Sequence, residues 1–283
     1  MRTVETVADL RYVVAKWRTA GERIALVPTM GNLHEGHLDL VRKARGLADR
    51  VIVSIFVNPL QFGENEDFAA YPRSEVDDSE KLIGVSTDLL FMPSVAEVYP
   101  RPQAEQTRVE VPGLSDLFCG ASRAGHFVGV ATVVCKLFNM AQPDVAVFGE
   151  KDYQQLLVIR QMVQDLCFPI EIHGLPTVRE VDGLARSSRN GYLTDEERSL
   201  APAIYRQLKA TVGRIQQGRR DFALLEEQAL SNLESEGFLP DYYAIRRARD
   251  LGEPGPEDSD LVILAAAYLG KARLIDNIRL SLD

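Results

Sequence analysis

Through the first two thirds of the chain, short apolar runs alternate with stretches whose apolar positions recur at helical spacing. Arg23-Ile-Ala-Leu-Val-Pro28 is an apolar run closed by a breaker and predicts a buried strand. From Gly36 to Ala48, the residues Leu38, Leu40, Val41, Ala44 and Leu47 fall on one helical face. Val51-Ile-Val-Ser-Ile-Phe-Val57 is almost continuously apolar and β-branched, the pattern of a strand covered on both faces. Strand, helix, strand in that order predicts a βαβ unit with a right-handed crossover. The alternation continues with a helix over Glu75–Ile83, a strand over Asp88–Met92 and a buried helix over Val128–Met140. A strand over Val145–Phe148, a helix over Tyr153–Leu166 and a last strand over Ile170–His173 complete it. The expected fold class is α/β, a doubly wound, Rossmann-like parallel sheet.

After Thr177 the pattern changes. Thr194-Asp-Glu-Glu197 is a helix start in which Thr194 caps and Glu197 closes a capping box. Helices are expected to about Gln217 and over Asp221–Ser235, and strands over Tyr242–Arg246 and Leu261–Tyr268. These elements predict a smaller α+β domain over 177–283, following a first domain over 1–176.

Composition narrows the class. The 283 residues carry 32 basic and 41 acidic side chains, for a net charge of −9. That balance opposes a general nucleic-acid binder, and the 46% hydrophobic content opposes dominant disorder. No apolar run reaches membrane-spanning length, and Met1-Arg-Thr-Val-Glu-Thr6 lacks the basic-then-apolar order of a secretory signal. Cys119, Cys135 and Cys167 are odd in number and widely spaced, as expected of reduced thiols in a cytoplasmic enzyme.

The most informative segment is Pro28-Thr-Met-Gly-Asn-Leu-His-Glu-Gly-His37. It joins the first apolar strand to its helix, at the carboxyl-end crevice where open α/β sheets bind ligands. Gly31 and Gly36 allow close backbone approach, and free N–H groups at a helix start favour an anionic phosphate. His34 and His37, three positions apart, can act together as donors to oxygens that gain charge in a transition state. Gln61, in Asn58-Pro-Leu-Gln61 after the next strand, belongs to the same end of the sheet, and its amide can both donate and accept. Gly149-Glu-Lys-Asp152 repeats the strand-to-helix logic. Lys151 offers a point charge for phosphate, and Asp152 can hold magnesium or a ribose hydroxyl. In Arg186-Ser-Ser-Arg189, two hydroxyls and guanidinium groups can clasp phosphate oxygens.

The His-x-Gly-His tetrapeptide resembles the motif of the nucleotidyltransferase superfamily. The longer run resembles the pantoate–β-alanine ligase family. Matching segments extend along nearly the whole chain: Ser54–Phe62, Tyr71-Pro-Arg73, Phe148–Gln155, Ser187-Ser-Arg-Asn190 and Arg273-Leu-Ile-Asp-Asn277. The resemblance implies an ATP-dependent, AMP-forming condensation of pantoate with β-alanine through a pantoyl adenylate. It further implies magnesium accompanying the ATP, no prosthetic group and a homodimer; because the adenylate must be shielded from water, the smaller domain is expected to close over the site. It implies ATP contacts along Met30, Gly31, Asn32, Leu33, His34, Glu35, Gly36 and His37. Further ATP contacts fall at Gly149, Glu150, Lys151 and Asp152, at the backbone of Val178, and at Arg186, Ser187, Ser188 and Arg189. His34, His37 and Lys151 carry the catalytic roles, and Gln61 and Gln155 hold pantoate and β-alanine. No nucleic-acid or membrane partner is expected.

Two positions depart from the family pattern. Arg186 stands where Leu or Met is usual, so Ser187, Ser188 and Arg189 are the stronger functional side chains while its backbone can still contribute, and Ala124 replaces a proline in Arg123-Ala-Gly-His-Phe127. Arg123 is read as a possible closing group, His126 as a loop residue and His173 as a strand residue, neither histidine catalytic. Asp77 and Asp78 are read as ordinary surface charge on a helix. Two rival functions stay open on sequence alone: another small-molecule nucleotidyltransferase, and a nucleotide sensor without turnover.

Overall fold

The computed structural model describes residues 1–63 and 68–282. In chain order its elements begin with β1 (Arg2–Val4), α1 (Val7–Thr19), β2 (Ile24–Thr29), α2 (Glu35–Arg45) and β3 (Arg50–Ile55). Then come α3 (Glu75–Gly84), β4 (Leu89–Phe91), the short helices α4 (Val95–Val98) and α5 (Cys119–Ser122), and α6 (His126–Ala141). β5 (Val145–Gly149), α7 (Tyr153–Asp165) and β6 (Glu171–Leu175) follow. The remainder holds α8 (Asp195–Leu200), α9 (Ala203–Gln216), α10 (Phe222–Ser235), β7 (Leu239–Arg247), β8 (Asp260–Leu269) and β9 (Ala272–Ser281).

Two compact units result. One comprises Met1–Glu150 and Gln155–Leu175; the other takes Lys151–Gln154 together with residues 176–282. The first unit is built on a six-stranded sheet of order β1-β4-β3-β2-β5-β6, parallel at every pairing. From β2 the chain moves outward to β3 on one side, and β5 adds on the other. The switch point therefore lies between β2 and β5, and the loops after these strands flank it. Alternate residues show both faces covered. Ala25 and Val27 pack with Val51, Val53 and α2 residues Leu38 and Val41, while Ile24, Leu26 and Ile52 are equally inaccessible. A sheet buried on both sides is what the unbroken apolar runs demanded.

The second unit packs α9 and α10 against a three-stranded antiparallel sheet, β7-β8-β9. Ile204, Leu208 and Leu233 meet Ile245, Ile263 and Leu274 in its core. The expected capping box is formed: Glu197 N–H donates to Thr194 Oγ1 at 3.3 Å, and Thr194 N–H donates to Glu197 Oε2 at 2.8 Å. Pro202, at the cap of α9, separates it from α8.

Candidate active site

In the first unit, the segment after β2 turns sharply before α2. Gly31 sits at φ +83, and a Cβ there would meet Ile55 Cγ2 at 3.1 Å and Asp78 Oδ2 at 3.2 Å, so the turn needs glycine on both grounds. Asn32 follows at φ 50. What holds this turn is Asp78 on α3, which is 1% exposed. Its carboxylate accepts from Asn32 N–H at 2.8 Å and from Leu33 N–H at 2.7 Å. Lys81, one turn along α3, donates to the Leu33 carbonyl at 2.7 Å. Asp77 remains at the surface in an ion pair with Lys81.

This corrects the reading of Asp78 as surface charge. The backbone N–H groups of Asn32 and Leu33 are thereby given to Asp78. Leu33's side chain lies in the core, and Glu35 is exposed and paired with Arg42. The amides at the mouth of α2 that an α-helix leaves without intrahelical partners are those of Glu35 and Gly36, beside His37. The spacing could have revealed Asp78: it stands one turn before Leu82, on the buried face of α3.

His34 caps α2 and His37 lies in its first turn, with their rings stacked at 4.0 Å between centroids. The His34 backbone N–H donates to His37 Nδ1 at 3.3 Å. Nδ1 therefore carries the lone pair, and in the neutral imidazole the ring proton sits on Nε2. The arrangement makes His37 a hydrogen-bond donor through Nε2.

Gln61 lies just after β3, and its side-chain amide is oriented by two contacts. Asn58 Nδ2 donates to Gln61 Oε1 at 3.0 Å, and Gln61 Nε2 donates to Met30 Sδ at 3.2 Å. Asn58, 1% exposed, also donates to the Gly129 carbonyl at 3.1 Å and accepts from the Tyr99 hydroxyl at 2.8 Å. Burial pushes the Tyr99 phenol well above its ordinary range, so it stays a donor. The backbone of α6 presses against this loop: a Cβ on Gly129 would come within 2.3 Å of the Leu60 carbonyl.

The Gln61 backbone carbonyl accepts from His126 Nδ1 at 2.8 Å and from Arg123 Nη2 at 3.3 Å. Since a carbonyl can only accept, His126 bears its proton on Nδ1, and Nε2 accepts from Arg123 Nη1 at 3.0 Å. His126 is thus the first residue of α6, correcting its reading as a loop residue, and it braces the Gln61 backbone. His173 is in β6 as expected, beside Glu171. Gln155 is half-buried near the start of α7, Gly149 ends β5 and Glu150 follows it. The Glu150 carboxylate lies against β6, where a Cβ on Gly174 would approach its Oε1 to 2.7 Å.

In the second unit, Lys151 and Ser187 line one cavity together with Asn190, Tyr205 and Asp276. Ser187 caps the short 3-10 turn Ser188–Tyr192, which carries Arg189, and accepts from Arg189 N–H at 3.3 Å. Arg186 N–H donates to the Val178 carbonyl at 2.9 Å, so that carbonyl serves a hairpin. The Arg186 guanidinium pairs with Glu180 at 2.9 Å. Asp152 is exposed. Among the described residues no three His, Cys, Asp or Glu side chains converge as a metal cage. Nor is any helix among them long and apolar enough to cross a membrane.

The profile of the family described as pantoate-beta-alanine ligase matches residues 2–279. A protein named pantothenate synthetase from Thioalkalivibrio sulfidiphilus is 59% identical over 282 residues, covering 100% of this chain and 99% of its own. One from Nitrosococcus oceani is 57% identical over the same coverage. The crystal structure of pantothenate synthetase from Thermus thermophilus superposes with a TM-score of 0.92 at 48% identity, covering 98% of this chain and 99% of that one. A pantoate-beta-alanine ligase from Francisella tularensis, complexed with beta-gamma ATP and beta-alanine, gives 0.83 at 35% identity, with coverage of 98% and 97%. A profile match across nearly the whole chain, relatives well above half identical and a shared fold converge on one conclusion: the chain belongs to the pantoate–β-alanine ligase family.

Proposed function

We propose that the groups described above perform, in this ATP-dependent pantoate–β-alanine ligase, a condensation in two steps. A pantoate carboxylate oxygen attacks the α-phosphorus of ATP, giving pantoyl adenylate and pyrophosphate. The β-alanine amine then attacks the acyl carbon, the bond to the bridging oxygen breaks, and AMP leaves with that oxygen as pantothenate forms. Neither step requires a covalent bond to the protein. The enzyme's task is alignment and the stabilisation of moving charge.

The observation that carries this reading is the tautomer of His37. With Nδ1 engaged by the His34 amide, Nε2–H is a donor pre-set for phosphate oxygens. The donor and the helix-mouth amides lie beside the switch point of the sheet, where a triphosphate finds both hydrogen bonds and the positive end of the α2 dipole. The stacked His34 ring limits how His37 can turn. Lys151 supplies a full charge to the leaving pyrophosphate, and Ser187, Ser188 and Arg189 clasp the remaining phosphate oxygens. Gln61, its side-chain amide held by Asn58 and Met30 and its backbone carbonyl by Arg123 and His126, presents an oriented amide to pantoate and then to the β-alanine end, with Gln155 as the second substrate amide.

Magnesium enters as part of the substrate, MgATP. A single protein carboxylate plus phosphate oxygens suits its octahedral demand, and Asp152 is the candidate for that carboxylate. The two units divide the labour, the first taking pantoate through Gln61 and Gln155, the second supplying Lys151 and the Ser187–Arg189 stretch to phosphate. We place the protein in the cytoplasm as a homodimer, on the strength of the family.

The test is AMP formation by the purified protein with ATP and magnesium, omitting pantoate and β-alanine in turn. AMP should accumulate steadily only with both. Steady AMP release without β-alanine, or none with all three substrates, would refute the reading.

A further inference from the structure

We propose that Asn277, with Asp276 and Arg179 behind it, is a positioning residue for Lys151 and thereby sets the triphosphate-binding end of the site. This rests on the reading of Lys151 as the triphosphate cation.

Lys151 sits in a single 3-10 turn, Glu150–Asp152, and a turn that short does not fix its own position. Asn277 on β9 supplies an anchor by donating from Nδ2 to the Lys151 carbonyl at 2.9 Å. Asn277 is only 6% exposed, an unusual cost for an amide unless its bonds matter. Its own backbone N–H donates to Asp276 Oδ1 at 2.7 Å, and its carbonyl accepts from Arg179 Nη2 at 3.1 Å.

Behind the amide lies a buried ion pair. Arg179 grips both Asp276 oxygens, at 2.6 and 2.9 Å, and also donates to the Gly183 carbonyl at 3.1 Å. Its guanidinium lies 3.8 Å from the centroid of the Tyr205 ring. Gly183, at φ +96, could carry no side chain there, because a Cβ would come within 2.3 Å of that ring. Arg179 belongs to the hairpin that runs on to Ser187, through the bridge Arg179–Ala185 and the bond from Arg186 to Val178. One guanidinium therefore ties β9, the hairpin and, through Asn277, the turn of Lys151. Planar, bidentate geometry of this kind resists sliding as a single bond cannot. Tyr153, two residues after Lys151, is fastened in the same unit by its hydroxyl to the Ala248 carbonyl at 2.9 Å. The Lys151 carbonyl and the residue two places further on are thus both fastened within the second unit.

The experiment compares Asn277→Ala, Lys151→Ala and the double variant in the full-length enzyme. It measures KM for ATP, KM for pantoate, and exchange of labelled pyrophosphate into ATP with pantoate present and β-alanine absent. Arg279→Ala, an exposed β9 change beside Asp260, serves as control and should leave all three unchanged. Asn277→Ala should raise the ATP KM and slow exchange by on the order of tenfold, with the pantoate KM within about twofold. In the Lys151→Ala background the same change should add about twofold or less, because the group it positions is gone. A purely structural role would lower the active fraction and leave both KM values alone. An unchanged ATP KM in Asn277→Ala, with Lys151→Ala impaired, overturns the positioning role only. Full exchange activity in Lys151→Ala overturns the triphosphate reading of Lys151, and the positioning role with it.

Discussion

Replacing Asp78 by asparagine tests whether the histidine segment is held from α3. The carboxylate accepts two backbone N–H groups, at 2.8 and 2.7 Å, and is almost wholly buried. Asparagine keeps one acceptor oxygen but turns an NH2 group toward the other amide, so a donor faces a donor. Hydrogen bonds to a charged group contribute about 1.5–3 kcal/mol each, so losing one and weakening the other should destabilise by about 2–4 kcal/mol. At about 2–4 °C per kcal/mol, the melting temperature should fall by roughly 5–15 °C. The chain has a second way to respond, which is to shift the turn and relieve the clash. A displacement of about 1 Å at His37 would lower adenylation on the order of a hundredfold. Melting by calorimetry and AMP formation on the same preparation separate the two responses, and at least one must be seen. Asp78→Asn with a melting temperature within about 2 °C and turnover within about twofold of the parent would refute the clamp.

Three further outcomes follow from the same geometry. Asn58→Ala removes the partner of the Tyr99 hydroxyl and the Gly129 carbonyl, and should destabilise by about 2–4 kcal/mol while raising the pantoate KM more than the ATP KM; equal effects on both would argue against Gln61 as a substrate amide. His37→Ala should fold and lose adenylation by about tenfold to a thousandfold, so a folded variant with unchanged pyrophosphate exchange would remove its role as donor. Asp144 answers to pH: burial raises its pKa, but the hydrogen bonds from Arg18 and the Ile24 amide outweigh that and hold its carboxyl below the usual range. A depressed folded pKa contributes stability that is complete above the unfolded value, near 4, and is lost as pH falls through the folded one, so Asp144→Asn should lower stability at neutral pH and flatten the acid limb below about pH 4. An unaltered acid limb in urea titrations of the variant would contradict this.

Much of the first unit was legible because a sheet covered on both faces leaves an unambiguous mark. The runs at β2, β3 and β5 could hardly be anything else, and the turn chemistry after them pointed to the ligand end. Three elements gave no such mark. β1 has only three residues, and α1 buries only Leu10, Val13 and Val14 among its apolar positions. β9 interrupts its alternation with Asp276 and Asn277, polar residues that are nonetheless buried.

The site shows the same division. His34, His37, Gln61 and Lys151 are announced by their loops, whereas the groups that hold them are distant in sequence and polar in type. Asp78 braces a turn 45 residues away, and Asn277 holds a carbonyl 126 residues away. Such partners look like surface charge until the fold buries them, since polarity alone does not say which face of an element a residue occupies.

The central claim is the adenylate, and the fate of one oxygen tests it most directly. Pantoate labelled with heavy oxygen in its carboxylate should be turned over with ATP, magnesium and β-alanine, and the phosphorus-containing products analysed by mass. If the carboxylate bridges to the α-phosphorus, AMP must carry one labelled oxygen per turnover and pyrophosphate none. Label in inorganic phosphate, with ADP as co-product, would mean attack at the terminal phosphorus and an acyl phosphate, contradicting the account.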